Sequence, residues 1–257
     1  MKKKKIILLI GGHDPTGGAG IGADIETASY FNFHSLSILT CSTIQNSNGV
    51  YKINNMPKNY IYESYKKIIE EFKINVIKIG LLPSIQSSSE VLKIINDKKL
   101  KNIPIIADPI IRSGRNNILN SNKNLKFLIE NIYPKVKLIT PNFYEYEQLK
   151  KFTDNFKKNK FKNILITNYE NSTKTITLKL KKNSVTKQKS YFIKKYNKDF
   201  HGTGCTFSTA LACNIAMKNS IENSIDISLD YISKTLKTST VSGLSQDYLN
   251  RTTKWFT

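Results

Sequence analysis

Arginine is nearly missing from this chain. Only Arg112, Arg115 and Arg251 occur among 40 basic residues, so 40 − 3 = 37 are lysine, and with 19 acidic residues the net charge is +21. A charge of that size would favour nucleic acid or an anionic surface. The lysines are instead spread through every segment of a chain that is also rich in Asn and Ile, which is a uniform compositional bias and not a selected patch. No nucleic-acid partner is expected. Cysteine is equally scarce: Cys41, Cys205 and Cys213 have neither metal spacing nor an even-numbered disulfide framework, which fits a reducing cytoplasm. Long apolar runs are lacking too. Ile6 to Ile10, behind Lys2 to Lys5, is too short for a signal-peptide core, and no stretch reaches the roughly 18 apolar residues of a membrane span, so no membrane partner is expected.

What remains is length and alternation. A chain of 257 residues with 39% hydrophobic content can bury a substantial core, and one α/β domain over residues 1–257 is expected. The spacing predicts strands at Lys5 to Gly11, Ser35 to Ile44, Val76 to Gly80, Ile103 to Asp108, Lys137 to Thr140 and Lys162 to Thr167. Helices are predicted up to Tyr30, over Tyr60 to Phe72, Ser84 to Lys98 and Asn122 to Ile132, after Thr140, and over Ile221 to Val241. Such alternation implies right-handed βαβ units and a mostly parallel sheet with helices on both faces. Thr173 to Leu180 and Ser190 to Tyr196 alternate like antiparallel edge strands, whose exposure suggests a homodimer. The tail from Ser242 to Thr257 carries no readable pattern.

Two glycine loops stand out. His201-Gly202-Thr203-Gly204-Cys205-Thr206 leads into a helix marked by Phe207, Ala210, Leu211 and Ile215. The first amides of a helix lack intrahelical partners and sit at the positive end of its dipole, so this place suits a phosphate. Cys205 falls in the first turn, where that field is expected to lower its pKa and make it a base or nucleophile; a tight turn with a small core cysteine would also account for these residues. The other loop is Gly12-His13-Asp14-Pro15-Thr16-Gly17-Gly18-Ala19-Gly20, which matches neither the P-loop nor the dinucleotide fingerprint. Asp24 lies one helical turn beyond Gly20 and could face a pocket. Gln45 stands at the polar corner ending the second strand. Asp108-Pro109 ends a strand where a magnesium-side carboxylate could sit, and Asn142 with Glu145 either holds hydrated Mg²⁺ or forms a capping box.

His201-Gly202-Thr203-Gly204-Cys205, Asp14-Pro15-Thr16-Gly17-Gly18-Ala19-Gly20-Ile21-x-Ala23-Asp24, Gln45-Asn46, Lys78-Ile79-Gly80-Leu81-Leu82 and Thr140-Pro141-Asn142-x-x-Glu145 together resemble the hydroxymethylpyrimidine/phosphomethylpyrimidine kinases of thiamin biosynthesis. These belong to the ribokinase-like superfamily, and the resemblance runs from Ile6 to about Ala216. It implies a three-layer αβα fold and an ATP- and Mg²⁺-dependent kinase. That enzyme would phosphorylate 4-amino-5-hydroxymethyl-2-methylpyrimidine and then its monophosphate. By the same resemblance Cys205 is the base, and the amides of Gly202, Thr203, Gly204 and Cys205 form an anion hole. Gly12, Asp24, Gln45 and Leu81 hold the pyrimidine, Asn142 and Thr167 face the nucleotide, and Asp108 and Glu145 act through magnesium. The chain departs from the family at Thr167-Asn168-Tyr169-Glu170, where Lys-Gly-Gly-His is usual, at His13 and Phe200, and around Ser242-Gly243-Leu244. A pyridoxal kinase of the same fold and a catalytically weakened pyrimidine- or nucleotide-binding homologue stay open as rivals.

Overall fold

The computed structural model describes residues 3–113, 117–152, 161–171, 175–182 and 187–252. Its centre is a nine-stranded sheet in the order β3-β2-β1-β4-β5-β6-β7-β8-β9. The parallel middle consists of β1 (Lys5–His13), β2 (Phe33–Asn46), β4 (Val76–Ile79), β5 (Ile105–Ala107), β6 (Leu138–Ile139) and β7 (Asn163–Asn171). Antiparallel strands close both edges: β3 (Gly49–Asn55) on β2, and β8 (Thr175–Lys182) with β9 (Lys187–Lys194) beyond β7. The expected three-layer arrangement with a mostly parallel sheet is therefore present. Thr173, taken as the start of an edge strand, lies outside the described residues.

Side-chain alternation along the strands sorts the helices. Leu8, Ile10, Ile77, Ile79, Ile105 and Ile164 point to the face covered by α2 (Tyr60–Glu71), α3 (Ile85–Ile95), α4 (Asn122–Asn131) and α5 (Phe143–Lys151). Ile7, Leu9, Val76, Ile106 and Leu138 meet α1 (Gly20–Tyr30), α6 (Thr203–Ala216) and α7 (Ile221–Lys237) on the other face. Ile7 to Ile10 are all fully buried, each contributing about 1.5–3 kcal/mol, which is why the run reads as uninterrupted hydrocarbon.

β1 lies between β2, which follows it, and β4, so the chain reverses its direction of travel across the sheet there. A crevice opens at such a switch point, at the carboxyl ends of the strands. One residue of the short buried β4 breaks its hydrocarbon character. Lys78 is fully buried on the α1 and α6 side, and its ammonium lies 2.9 and 2.8 Å from the two oxygens of Asp24. Thr209 of α6 donates to the same carboxylate at 2.7 Å. A charge removed from water needs such partners, so this triad fixes β4, α1 and α6 against one another.

Two expectations differ from the structure. The last helix ends at Lys237 and not Val241, because the chain turns into β11 (Val241–Ser242), which joins β10 (Phe200–His201) and β12 (Asp247–Tyr248) in a small second sheet. β3 was not expected at all; its residues are mostly exposed and polar, without the apolar alternation that marks a half-buried strand. Replacing Lys78 by Met should destabilise the protein by about 3–5 kcal/mol in urea unfolding, because Asp24 is left charged and uncompensated; a Lys78→Met/Asp24→Leu double variant should recover most of that loss.

Candidate active site

The crevice is a cavity of about 260 Å³ whose walls come from strand ends: Gly11 and Gly12 of β1, Gly80 and Leu81 after β4, Asp108 after β5, Thr140 and Asn142 after β6, and Thr167 of β7. The first turn of α6 closes one end, with Thr203, Gly204 and Cys205 in the wall. Gly202 holds φ 78°, and a Cβ there would collide with the carbonyl of Gly18, so the two glycine loops touch only because both lack side chains. No side chain caps α6 among the described residues, and the first intrahelical amide bond is from Thr206 to Gly202. The earlier amides remain available to an anion.

Each residue expected in the site lines this cavity: Gly12, Asp24, Gln45, Leu81, Asp108, Asn142, Glu145, Thr167 and Gly202 to Cys205. Their states differ from expectation in two respects. Asp24 is fully buried, and its oxygens accept from Lys78 and Thr209, residues that the sequence did not connect with it. Cys205 was expected to have a lowered pKa. Burial raises it to about 12, with Asp108 and Asp24 adding to the effect and Lys78 opposing it. The helix terminus does not outweigh desolvation here.

Asn142 and Glu145 form the capping box: the Asn142 side chain accepts from the Glu145 amide at 2.9 Å, and Glu145 Oε2 accepts from the Asn142 amide at 2.9 Å. Glu145 Oε1 accepts from the Ile111 amide at 3.1 Å. The capping box is therefore formed, and both of its residues also line the cavity. Burial and then the Asp108 charge raise the Glu145 carboxyl to about 8, and burial raises Asp108 as well, with Ser208 donating to it at 3.3 Å. Two buried oxygen-donor acids, one of which disfavours ionisation of the other, fit a hard divalent cation such as Mg²⁺. Among the described residues no group of three or more His, Cys, Asp or Glu could hold a metal, so the remaining ligands would be waters and phosphate oxygens.

Several residues at the site carried no role in the sequence. His201 Nε2 is 2.7 Å from Asp14 Oδ2 and 3.4 Å from Gln45 Nε2. Burial works against the Asp14 carboxylate, but bonds from His201 and Thr16 hold its pKa at about 2. Arg251, 3% exposed, donates to the carbonyls of Gly17 and Gly18, to Thr206 and to Glu26. Lys78 had a signal, since a lysine inside an apolar strand requires a buried acid. A second cavity of about 360 Å³ shares Asn142, Thr167, Thr203 and Gly204 with the first and brings in Lys194, Lys195 and Lys198.

A cavity at the sheet switch point and a second one adjoining it, meeting at an uncapped helix N-terminus, fit a small-molecule kinase of the ribokinase-like fold. A solved structure, an ADP complex of Bacillus subtilis pyridoxal kinase, has the same fold: TM-score 0.84, 21% identity, covering 99% of this chain and 100% of that one. Residues 14–249 match the family described as Phosphomethylpyrimidine kinase, and the chain belongs to that family. A hydroxymethylpyrimidine/phosphomethylpyrimidine kinase of Aquifex aeolicus is 30% identical over 250 residues, covering 91% of this chain and 95% of that protein. A bifunctional thiamine biosynthesis protein of Methanocaldococcus jannaschii is 34% identical over 224 residues, covering 86% of this chain; the chain spans half the length of that relative.

At pH 8 the thiolate fraction of Cys205 should be about a thousandfold below that of an exposed cysteine of pKa 9.0. Iodoacetamide should therefore leave it unlabelled in the folded protein and label it readily in urea, as peptide mass spectrometry can read. The Glu145 carboxyl gives a second test. The unfolded group loses its proton near 4.5 and the folded one near 8, so between those values the folded protein holds the extra proton and loses stability as pH rises. In EDTA that decline should reach up to about 5 kcal/mol from pH 4.5 to 8; a melting temperature independent of pH over this range would contradict it.

Proposed function

We propose that the chain transfers phosphate from ATP to 4-amino-5-hydroxymethyl-2-methylpyrimidine and then to the resulting monophosphate, giving the pyrophosphate. The observation that carries this reading is the junction of the two cavities at the first turn of α6, in a chain that matches the phosphomethylpyrimidine kinase family over residues 14–249. We assign the acceptor to the first cavity, where Gln45 and the backbone at Gly12 offer hydrogen bonds and Leu81 an apolar wall. The nucleotide belongs to the second, against Asn142 and Thr167, where lysines near its mouth supply positive charge although Thr167 to Glu170 lack one.

Phosphoryl transfer requires alignment and charge stabilisation more than covalent chemistry. The amides of Thr203, Gly204 and Cys205 would stabilise the equatorial oxygens of the transferring group. Asp108 and Glu145 would hold Mg²⁺, which when bound supplies charge neutralisation at the phosphates. Cys205 takes the proton of the acceptor hydroxyl in its thiolate form, which burial makes scarce and which the Lys78 ammonium favours.

Cys205→Ala should lower kcat with the hydroxymethylpyrimidine about 10²-fold or more. Because the wild-type thiol titrates high, its rate should rise with pH between about 6 and 9, whereas the variant should lose that rise. Steady-state assays with the pyrimidine and with pyridoxal in parallel read both points. Near-normal turnover of the variant would remove Cys205 from the mechanism, and a preference for pyridoxal would replace the substrate.

A further inference from the structure

Among the described residues, the acceptor cavity is lined by one lysine and one arginine, Lys78 and Arg112. Lys78 is occupied by Asp24 at 2.8 Å. Arg112 has no carboxylate partner among the described residues, and its Nε is buried without a hydrogen bond. Its guanidinium carbon lies over the Tyr144 ring, 4.1 Å from the centre, a cation–π contact that limits where the group can go. The backbone that carries it is also fixed. Leu119 donates to the Ile111 carbonyl at 2.9 Å, Arg112 bridges Ile118, and the Ile111 amide is held by Glu145.

A planar guanidinium held over an aromatic ring, with a donor that no protein group satisfies, is matched to a phosphate, which it can bind through two parallel hydrogen bonds. Arg112 lines the acceptor cavity and is absent from the wall of the second, where the cations are Lys194, Lys195 and Lys198. We propose that Arg112 recognises the phosphate already present on the acceptor and so determines the second of the two transfers. This rests on the kinase reading above and adds a specificity residue to it. In that second transfer an oxygen of the acceptor's phosphate attacks the terminal phosphorus of ATP. The new P–O bond forms as the bond to the bridging oxygen breaks, and ADP leaves with that electron pair. A dianionic acceptor has no hydroxyl proton to lose, but it must be brought against another polyanion, and Arg112 supplies the charge that permits this.

The test is the ratio of kcat/KM for the phosphorylated acceptor to that for the unphosphorylated one. Arg112→Ala should lower this ratio about ten- to hundredfold, chiefly through KM for the phosphorylated acceptor, and Arg112→Lys should restore part of it. Calorimetric binding of the two acceptors without nucleotide should show the same selective loss, and it remains readable in a variant with poor turnover. An equal loss with both acceptors, or a raised KM for ATP with an unchanged ratio, would overturn the assignment. The wild-type protein measured alongside separates the two levels: if it turned over neither pyrimidine, the kinase reading itself would fall.

Discussion

The buried pair of Lys78 and Asp24 is the constraint on which the rest of the structure depends. Lys78 stands in a four-residue strand buried along its whole length, and its ammonium is held in position by an acid on α1 that also receives Thr209 of α6. α1 begins where the first glycine loop ends, and α6 begins at the second. A single polar triad therefore sets the distance between two loops far apart in sequence, and the cavity is the space left between them. Arg251 ties the same loops from the other side, through the carbonyls of Gly17 and Gly18 and the hydroxyl of Thr206. Breaking either tie would alter the spacing of the two loops and with it the cavity.

The electrostatics of the site have little to do with the +21 charge of the chain. That excess lies in scattered lysines, whereas the first cavity is bordered by Asp14, Asp24, Asp108 and Glu145, with few cations to answer them. Asp14 and Asp24 are committed to His201 and Lys78, while burial raises Asp108 and Glu145 toward protonation. In the proposed reaction a pocket of this kind would take a divalent cation and would stabilise an anion through backbone amides, which add no formal charge. Cys205 follows the same rule. The dipole field that would lower its pKa at a surface is outweighed by the loss of water around the sulfur.

Much of this was legible in the sequence, for identifiable reasons. The parallel strands announced themselves as apolar runs, because both faces are covered, and the glycine loops did so because only glycine permits contacts such as that of Gly202 with Gly18. Asn142 and Glu145 were legible as a pair because one capping box fixes their spacing. Burial was not legible. Asp24 lines the cavity, but its neighbours come from elements far away in the chain, so no local pattern could reveal its bonds to Lys78 and Thr209. The same holds for Cys205, whose pKa depends on how much water the fold removes. Arg112 carried no motif, and its meaning comes from Tyr144, from the cavity it lines and from the bond it lacks.

The C-terminal segment shows why some functional structure has no sequence signature. β11 and β12 are two residues each, too short for periodicity to mark them, and β12 exists because it pairs in parallel with β10 directly before the second glycine loop. The turn between them reaches back to Ser47 at the β2–β3 corner through Ser245, while Gln246 enters the wall of the first cavity. The tail thus roofs a site whose floor was built by the first strands of the sheet, and its register is dictated wholly by those earlier elements. Local preference specifies the strands and helices that form a core; a segment that only completes a cavity can be specified by tertiary contacts alone, and its function becomes visible when those contacts are seen.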